Sequence, residues 1–238
     1  MPKKRWIDCV VINTTFSNDY RDGELTVRTI VADKNKTTLP GNYPSPGKPY
    51  KLRFLLTDKA GKVIKDETVD VKARASSSRE TTENIHVPNV NQWNAETPYL
   101  YSLKVELLEN GNVVQSYNQK IGFREISTKD GVFRINGQPV KLRGVNRYDE
   151  WPTVGRATTR DHWLKDLKMM KAANINYIRA CHYQHAKGFI EMCDSIGMYV
   201  GAEVSLGGAG DQMYDPAYSP AVMLRSSNSL HNMCNLRT

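Results

Sequence analysis

A change of period near residue 123 constrains this chain more than any other feature of its 238 residues. Before it, short runs alternate apolar and polar side chains, as at 25–31, 50–56, 63–71 and 101–107. That period of two belongs to half-buried strands. Turn residues separate the runs, and the Asn110-Gly111 pair favours a type I′ hairpin, which needs positive φ at both central positions. Residues 40–49 carry Pro40, Pro44, Pro46 and Pro49, so they read as loop, because proline cannot donate to a ladder. About seven short strands in the first 122 residues is the count of a β-sandwich.

After residue 123 strand alternates with helix. The spacing predicts a hairpin over 131–142, a strand at 143–147, a helix over 158–173, a strand at 175–181, a helix over 186–196 and a strand at 198–203. Thr158 and Asp161 suit a capping box, and Gly197 suits a helix stop. Pro220 falls in the first turn of a third helical stretch reaching Met233. Residues 206–210, with three glycines, read as turning chain. Strands joined by crossover helices imply a parallel sheet. The expected domains are therefore 1–122, a sandwich, and 123–238, an α/β unit.

Charge narrows the function classes. The net charge of +8 is diffuse: 18 Lys/Arg face 14 Asp/Glu through residue 122, and 15 face 11 after it. Only Lys3, Lys4 and Arg5 cluster, which is a weak phosphate footprint, so nucleic acid is not an expected partner. No apolar run approaches the roughly 18–20 residues of a membrane-spanning helix. The first eight residues hold no apolar stretch of signal-peptide length, and compartment stays open. Cys9, Cys181, Cys193 and Cys234 form no C-x-x-C pair and have no histidines at zinc-finger spacing, so neither disulfide, metal nor other cofactor is expected. Cys193, among Phe189, Ile190 and Ile196, reads as apolar filler.

The chemistry concentrates at three strand ends. Ligands gather at the carboxyl ends of parallel strands. Asn146 and Arg147 end the first strand, Arg179 and His182 the second, and Glu203 the third. Arg179 lies in an apolar strand, where a charge needs a carboxylate or water, and the sequence shows it no obvious partner. Asp149 and Glu150 read as solvated loop charge, and Glu191 and Asp194 as the outer face of their helix. Glycoside chemistry needs two carboxylates, and Glu203 stands alone.

The order Arg143-Gly-Val-Asn-Arg147, Asn176-Tyr-Ile-Arg-Ala-Cys-His-Tyr183, Cys193-Asp-Ser-Ile-Gly-Met-Tyr-Val200 and Glu203 resembles the opening of the catalytic barrel in glycoside hydrolase family 2. Upstream, Trp93-Asn-Ala-Glu-Thr-Pro-Tyr-Leu-Tyr101 and Ile121-Gly-Phe-Arg124 are similar to the end of that family's immunoglobulin-like domain. The resemblance implies an immunoglobulin-like β-sandwich followed by a truncated (β/α)8 TIM barrel. It also implies a retaining hydrolase of β-galactosidase type, acting on terminal β-glycosidic bonds in carbohydrates through two glutamates. A whole barrel takes about 250 residues. About 115 follow residue 123, so the acid/base and nucleophile glutamates are expected beyond Thr238 and this chain by itself is expected to be inactive. No residue here is thus expected to be the acid/base or the nucleophile.

By the same resemblance Arg179 orients the nucleophile, with that absent glutamate as its partner, and His182 contacts sugar hydroxyls. Asn146, Arg147 and Glu203 support the site. Gln184 stands where the family usually has proline, Ala202 where it commonly has aspartate, and Ala209 where the β-galactosidase type has histidine. Those departures weaken assignment to galactose more than assignment to the family. A non-catalytic carbohydrate-binding or interaction module with a vestigial barrel is the alternative, and an oligomer or a complementing chain stays open as a partner.

Overall fold

A computed structural model of the chain describes residues 5–33, 50–71, 78–204, 210 and 215–233. The loop expected at 40–49, most of the turn expected at 206–210 and Cys234 lie outside the described residues. The chain divides into two compact units, Met1–Asn91 with Leu100–Glu125, and Gln92–Tyr99 with Ile126–Thr238.

The first unit is built of strands β1 (Arg5–Ser17), β2 (Asp22–Asp33), β3 (Tyr50–Thr57), β4 (Val63–Asp70), β5 (Ser78–Val87), β6 (Tyr101–Glu109) and β7 (Asn112–Ile121). They form two antiparallel sheets, ordered β1-β2-β5 and β4-β3-β6-β7, the makings of a β-sandwich. Alternation buries Tyr50, Leu52, Phe54 and Leu56 on β3 and Tyr101, Leu103, Val105 and Leu107 on β6, where Glu106 is buried as well. Each such side chain removed from water contributes about 1.5–3 kcal/mol before ordering costs. Asn110 and Gly111 join β6 to β7 with φ of 51° and 80°, the positive pair that a type I′ turn requires.

Strand β1 breaks the rule that made its neighbours legible. Its register shifts between Ile7 and Cys9, with Asp8 as the extra residue, and the buried set moves from positions 5, 7 and 9 to 10, 12 and 14. Strands β5 and β7 are largely polar and half exposed, so alternation barely marks them.

The second unit opens with the antiparallel strands β8 (Ile126–Lys129), β9 (Val132–Ile135) and β10 (Gln138–Pro139). The parallel part follows: β11 (Gly144–Arg147), helix α1 (Arg160–Ala172), β12 (Tyr177–Ala180), helix α2 (Lys187–Ile196) and β13 (Tyr199–Gly201), with the sheet ordered β11-β12-β13. Helix α3 (Ser219–Met233) comes last. The helices bury Trp163, Leu167, Phe189, Ile190, Met192 and Cys193 with Ile178 of β12 and Met198. Burial in that core pushes the Cys193 thiol pKa up, so it stays protonated and inert.

Two expectations for these helices change. Helix α1 starts two residues later than the spacing suggested, and the capping box moves by one to Thr159 and His162, with the Thr159 amide donating to His162 Nδ1 at 3.1 Å. Thr158 instead donates to Asp149. Asp194 is buried rather than solvent-facing, and its backbone carbonyl accepts the Trp93 indole N–H at 2.7 Å, so α2 turns this position toward the Trp93 segment instead of water. Glu191 does lie outward and pairs with Lys187 one turn earlier. Gly197 ends α2 at φ 83°, and a side chain there would meet the Ala95 carbonyl oxygen at 2.4 Å, so both backbone shape and space demand glycine.

Candidate functional site

Register decides which strand-end side chains can meet. Asn146 pairs with Arg179 across β11 and β12, and Arg179 pairs with Gly201 across β12 and β13. Side chains alternate between faces with period two. Gly144, Asn146, Tyr177, Arg179 and Gly201 therefore share one face, and Val145, Arg147, Ile178, Ala180 and Val200 share the other. The second face carries Ile178 and Val200 into the helical core.

On the first face the side chains link into a line. Arg179 Nη1 donates to Asn146 Oδ1 at 3.4 Å, and Arg179 Nε lies 2.5 Å from Glu203 Oε1. The other oxygen, Glu203 Oε2, is 3.1 Å from His182 Nδ1, and the His182 ring meets Tyr148 edge-on at 5.5 Å. The partner of Arg179 is thus in the chain, contrary to the expectation of an absent glutamate, and at 44% side-chain exposure the guanidinium also reaches water. Glu203 lies two residues beyond β13, which is why strand spacing alone did not aim it at Arg179.

Arg147 does not join that line. Its guanidinium is 4% exposed, donates to Asp166 Oδ2 at 3.0 Å and Asp149 Oδ1 at 3.2 Å, and sits over the Phe189 ring at 4.3 Å. Asp149, expected as solvated loop charge, is buried because Arg147, Thr158 and the Trp163 indole all donate to it. Glu150 behaves as expected and pairs with Arg156 in solvent.

His185 lies beside this network, buried, with Nδ1 against the Tyr183 carbonyl at 3.3 Å. Burial, reinforced by the Arg147 charge, holds its pKa below the ordinary histidine value. The unfolded chain then takes up the proton first as pH falls, so stability present above about pH 6.5 declines toward the lower folded pKa. Thermal unfolding measured from pH 7.5 to 5 is expected to show that decline, and His185→Gln is expected to flatten it; an unchanged slope in the variant would assign the decline to other groups.

Two contributors escaped the sequence reading. Tyr148, 46% exposed, stands beside both His182 and Tyr183, and it shares the parity of Asn146, a signal available once the strand is placed. Cys181, buried at the end of β12, brings its Sγ within 4.8 Å of ligand atoms of both His182 and Glu203. Cysteine spacing could not reveal it, because Glu203 arrives from another strand.

The arrangement can hold a carboxylate and present polar groups to a hydroxylated ligand. It is poorly suited to proton transfer by Glu203, since both of its oxygens are engaged. Among the described residues, Glu203 is the carboxylate that meets Arg179 and His182.

Two family profiles match the chain: one described as glycosyl hydrolases family 2 covers residues 7–124, and one described as the TIM barrel domain of that family covers residues 126–231. The β-galactosidase of Kluyveromyces lactis is 33% identical over 211 residues, which is 87% of this chain and 21% of that protein. The β-galactosidase of Actinobacillus pleuropneumoniae is 41% identical over 152 residues, 63% of this chain and 15% of that one. The chain thus spans about a fifth of the length of the curated relatives it matches. In fold, it is similar to the β-glucuronidase of Parabacteroides merdae, with a TM-score of 0.80 at 21% identity over 98% of this chain and 27% of that one.

Proposed function

The chain belongs to glycosyl hydrolase family 2, and from that premise we propose that residues 123–238 are the opening portion of a retaining β-glycosidase barrel. In this reading 1–122 is the immunoglobulin-like domain before it. The whole protein hydrolyses terminal β-glycosidic bonds in carbohydrates, with β-galactosides the first substrates to test, given the named relatives. The observation that carries the proposal is the line Asn146, Arg179, Glu203 and His182 along one face of a parallel sheet, at its carboxyl end.

Each residue has a role in that reading. Arg179 supplies a fixed cationic fork that orients a carboxylate, with Asn146 and Glu203 holding it in plane. His182, anchored by Glu203, contacts sugar hydroxyls. Arg147, named with them from sequence, is assigned instead to holding β11 on its helices. Retaining hydrolysis needs a proton donor and a nucleophile with carboxyls roughly 5–5.5 Å apart. Glu203 with both oxygens tied is neither, so the isolated chain should not turn over glycosides.

Two measurements test this. Purified chain is expected to leave aryl β-galactoside and aryl β-glucuronide unhydrolysed above the level of a preparation from a host lacking both activities. A chimera in which residues 123–204 replace the matching segment of the K. lactis enzyme is expected to hydrolyse the aryl β-galactoside. There Arg179→Ala should cut kcat/KM by about 100-fold, the scale of a misplaced reacting group. A well-folded chimera without activity, or one indifferent to Arg179→Ala, would sink the proposal.

A further inference from the structure

We propose that Cys181, His182 and Glu203 form a binding site for a thiophilic divalent cation, zinc being the best match. The three offer one thiol, one imidazole and one carboxylate, and their ligand atoms all lie within 4.8 Å of one another. Bonds of 2.0–2.3 Å at a tetrahedral angle set neighbouring ligand atoms about 3.3–3.6 Å apart. His182 Nδ1 and Glu203 Oε2 are already 3.1 Å apart, so a cation can replace that hydrogen bond with little movement of either side chain.

Chemistry selects the metal class. A sulfur and nitrogen set favours zinc and similar ions over magnesium or calcium, which prefer oxygen alone. On binding, the Cys181 thiol gives its proton to solvent and the thiolate sulfur bonds the ion. The charges of thiolate, carboxylate and the adjoining Arg179 guanidinium then sum to one negative, which partly offsets the dication. Arg179 engages Glu203 Oε1, leaving Oε2 for the ion and fixing the carboxylate's orientation, the part that outer partners of metal ligands ordinarily play. The His182 and Glu203 side chains are partly exposed, so a water or an exogenous ligand can fill a fourth position. The inference stands apart from the glycosidase reading, because its readout is binding of the metal and not turnover.

The test is titration of the full chain with zinc chloride by calorimetry, magnesium chloride serving as comparison. Cobalt is then substituted to look for a thiolate-to-cobalt charge-transfer band, and zinc-edge X-ray absorption is recorded on the unmutated protein. Expected are one zinc per chain, no matching magnesium uptake, the cobalt band, and a sulfur at about 2.3 Å with lighter nitrogen or oxygen neighbours. Cys181→Ser should abolish the band and weaken zinc at least tenfold, on the order of what even outer-sphere losses reach, and His182→Gln should weaken it comparably. A coordination shell without sulfur overturns the proposal whether or not the variants fold. So does a cobalt band or zinc affinity that survives Cys181→Ser or His182→Gln in protein with unchanged circular dichroism.

Discussion

Arg147→Ala is expected to destabilise the second unit by about 3–5 kcal/mol, the cost of removing one partner from a buried charge cluster. The guanidinium is the common partner of Asp149 and Asp166, and it packs on Phe189 as well. Without it Asp149 stays enclosed by Thr158 and Trp163 with its charge uncompensated. Arg179 provides the contrast, since it lies on the neighbouring strand, one register position before Ala180, the partner of Arg147, but on the open face with water at hand. Breaking so exposed a pair is worth about 1 kcal/mol or less. Urea unfolding followed by tryptophan fluorescence separates the two, because Trp93, Trp151 and Trp163 all belong to this unit. Equal shifts in the two variants would mean that Arg147 is not the structural member of the pair.

That contrast shows where sequence reading stops. The strand ends were recognisable because apolar runs closing in Arg, Asn and His are rare, and period two then dictates that Asn146 and Arg147 face opposite ways. Grouping both as site residues ignored the alternation that had located the strands. Asp149 was misread for a different reason: nothing local distinguishes a loop aspartate in water from one enclosed by Arg147, Thr158 and Trp163, two of which lie on a later segment. Arg179 seemed to lack a partner because Glu203 is 24 positions away and joins it only through the parallel pairing of β12 and β13. In the first unit the four strands with clean alternation were legible, whereas the Asp8 bulge in β1 shifts the buried phase midway and erases the pattern.

Trp93→Ala is expected to cost a similar 3–5 kcal/mol, although the residue comes before β6 in a segment flanked on both sides by strands of the first unit. Residues Gln92–Tyr99 belong to the second unit by their contacts. Trp93 is 1% exposed, donates to the Asp194 carbonyl and meets Tyr199 edge-on at 5.6 Å. Its own carbonyl accepts Asn136 Nδ2 at 3.1 Å. Ala95 extends the attachment: its amide donates to Tyr199 Oη, and its carbonyl shares Lys171 Nζ with the Gly197 carbonyl. Losing the indole opens a cavity against α2 and β13 and leaves the Asp194 carbonyl without that donor. Trp93→Phe keeps a six-membered apolar ring but loses the N–H and the rest of the indole, so it should cost less than Trp93→Ala while still bearing the loss of the Asp194 hydrogen bond, about 1–3 kcal/mol. Hydrogen exchange gives the local reading: the amides of Gly197 and Met198, which bond the Cys193 carbonyl, and of Tyr199, which bonds the Asn176 carbonyl, should lose protection in Trp93→Ala. If those amides exchange as in the unmutated protein, the segment is carried passively and the attachment has no energetic weight.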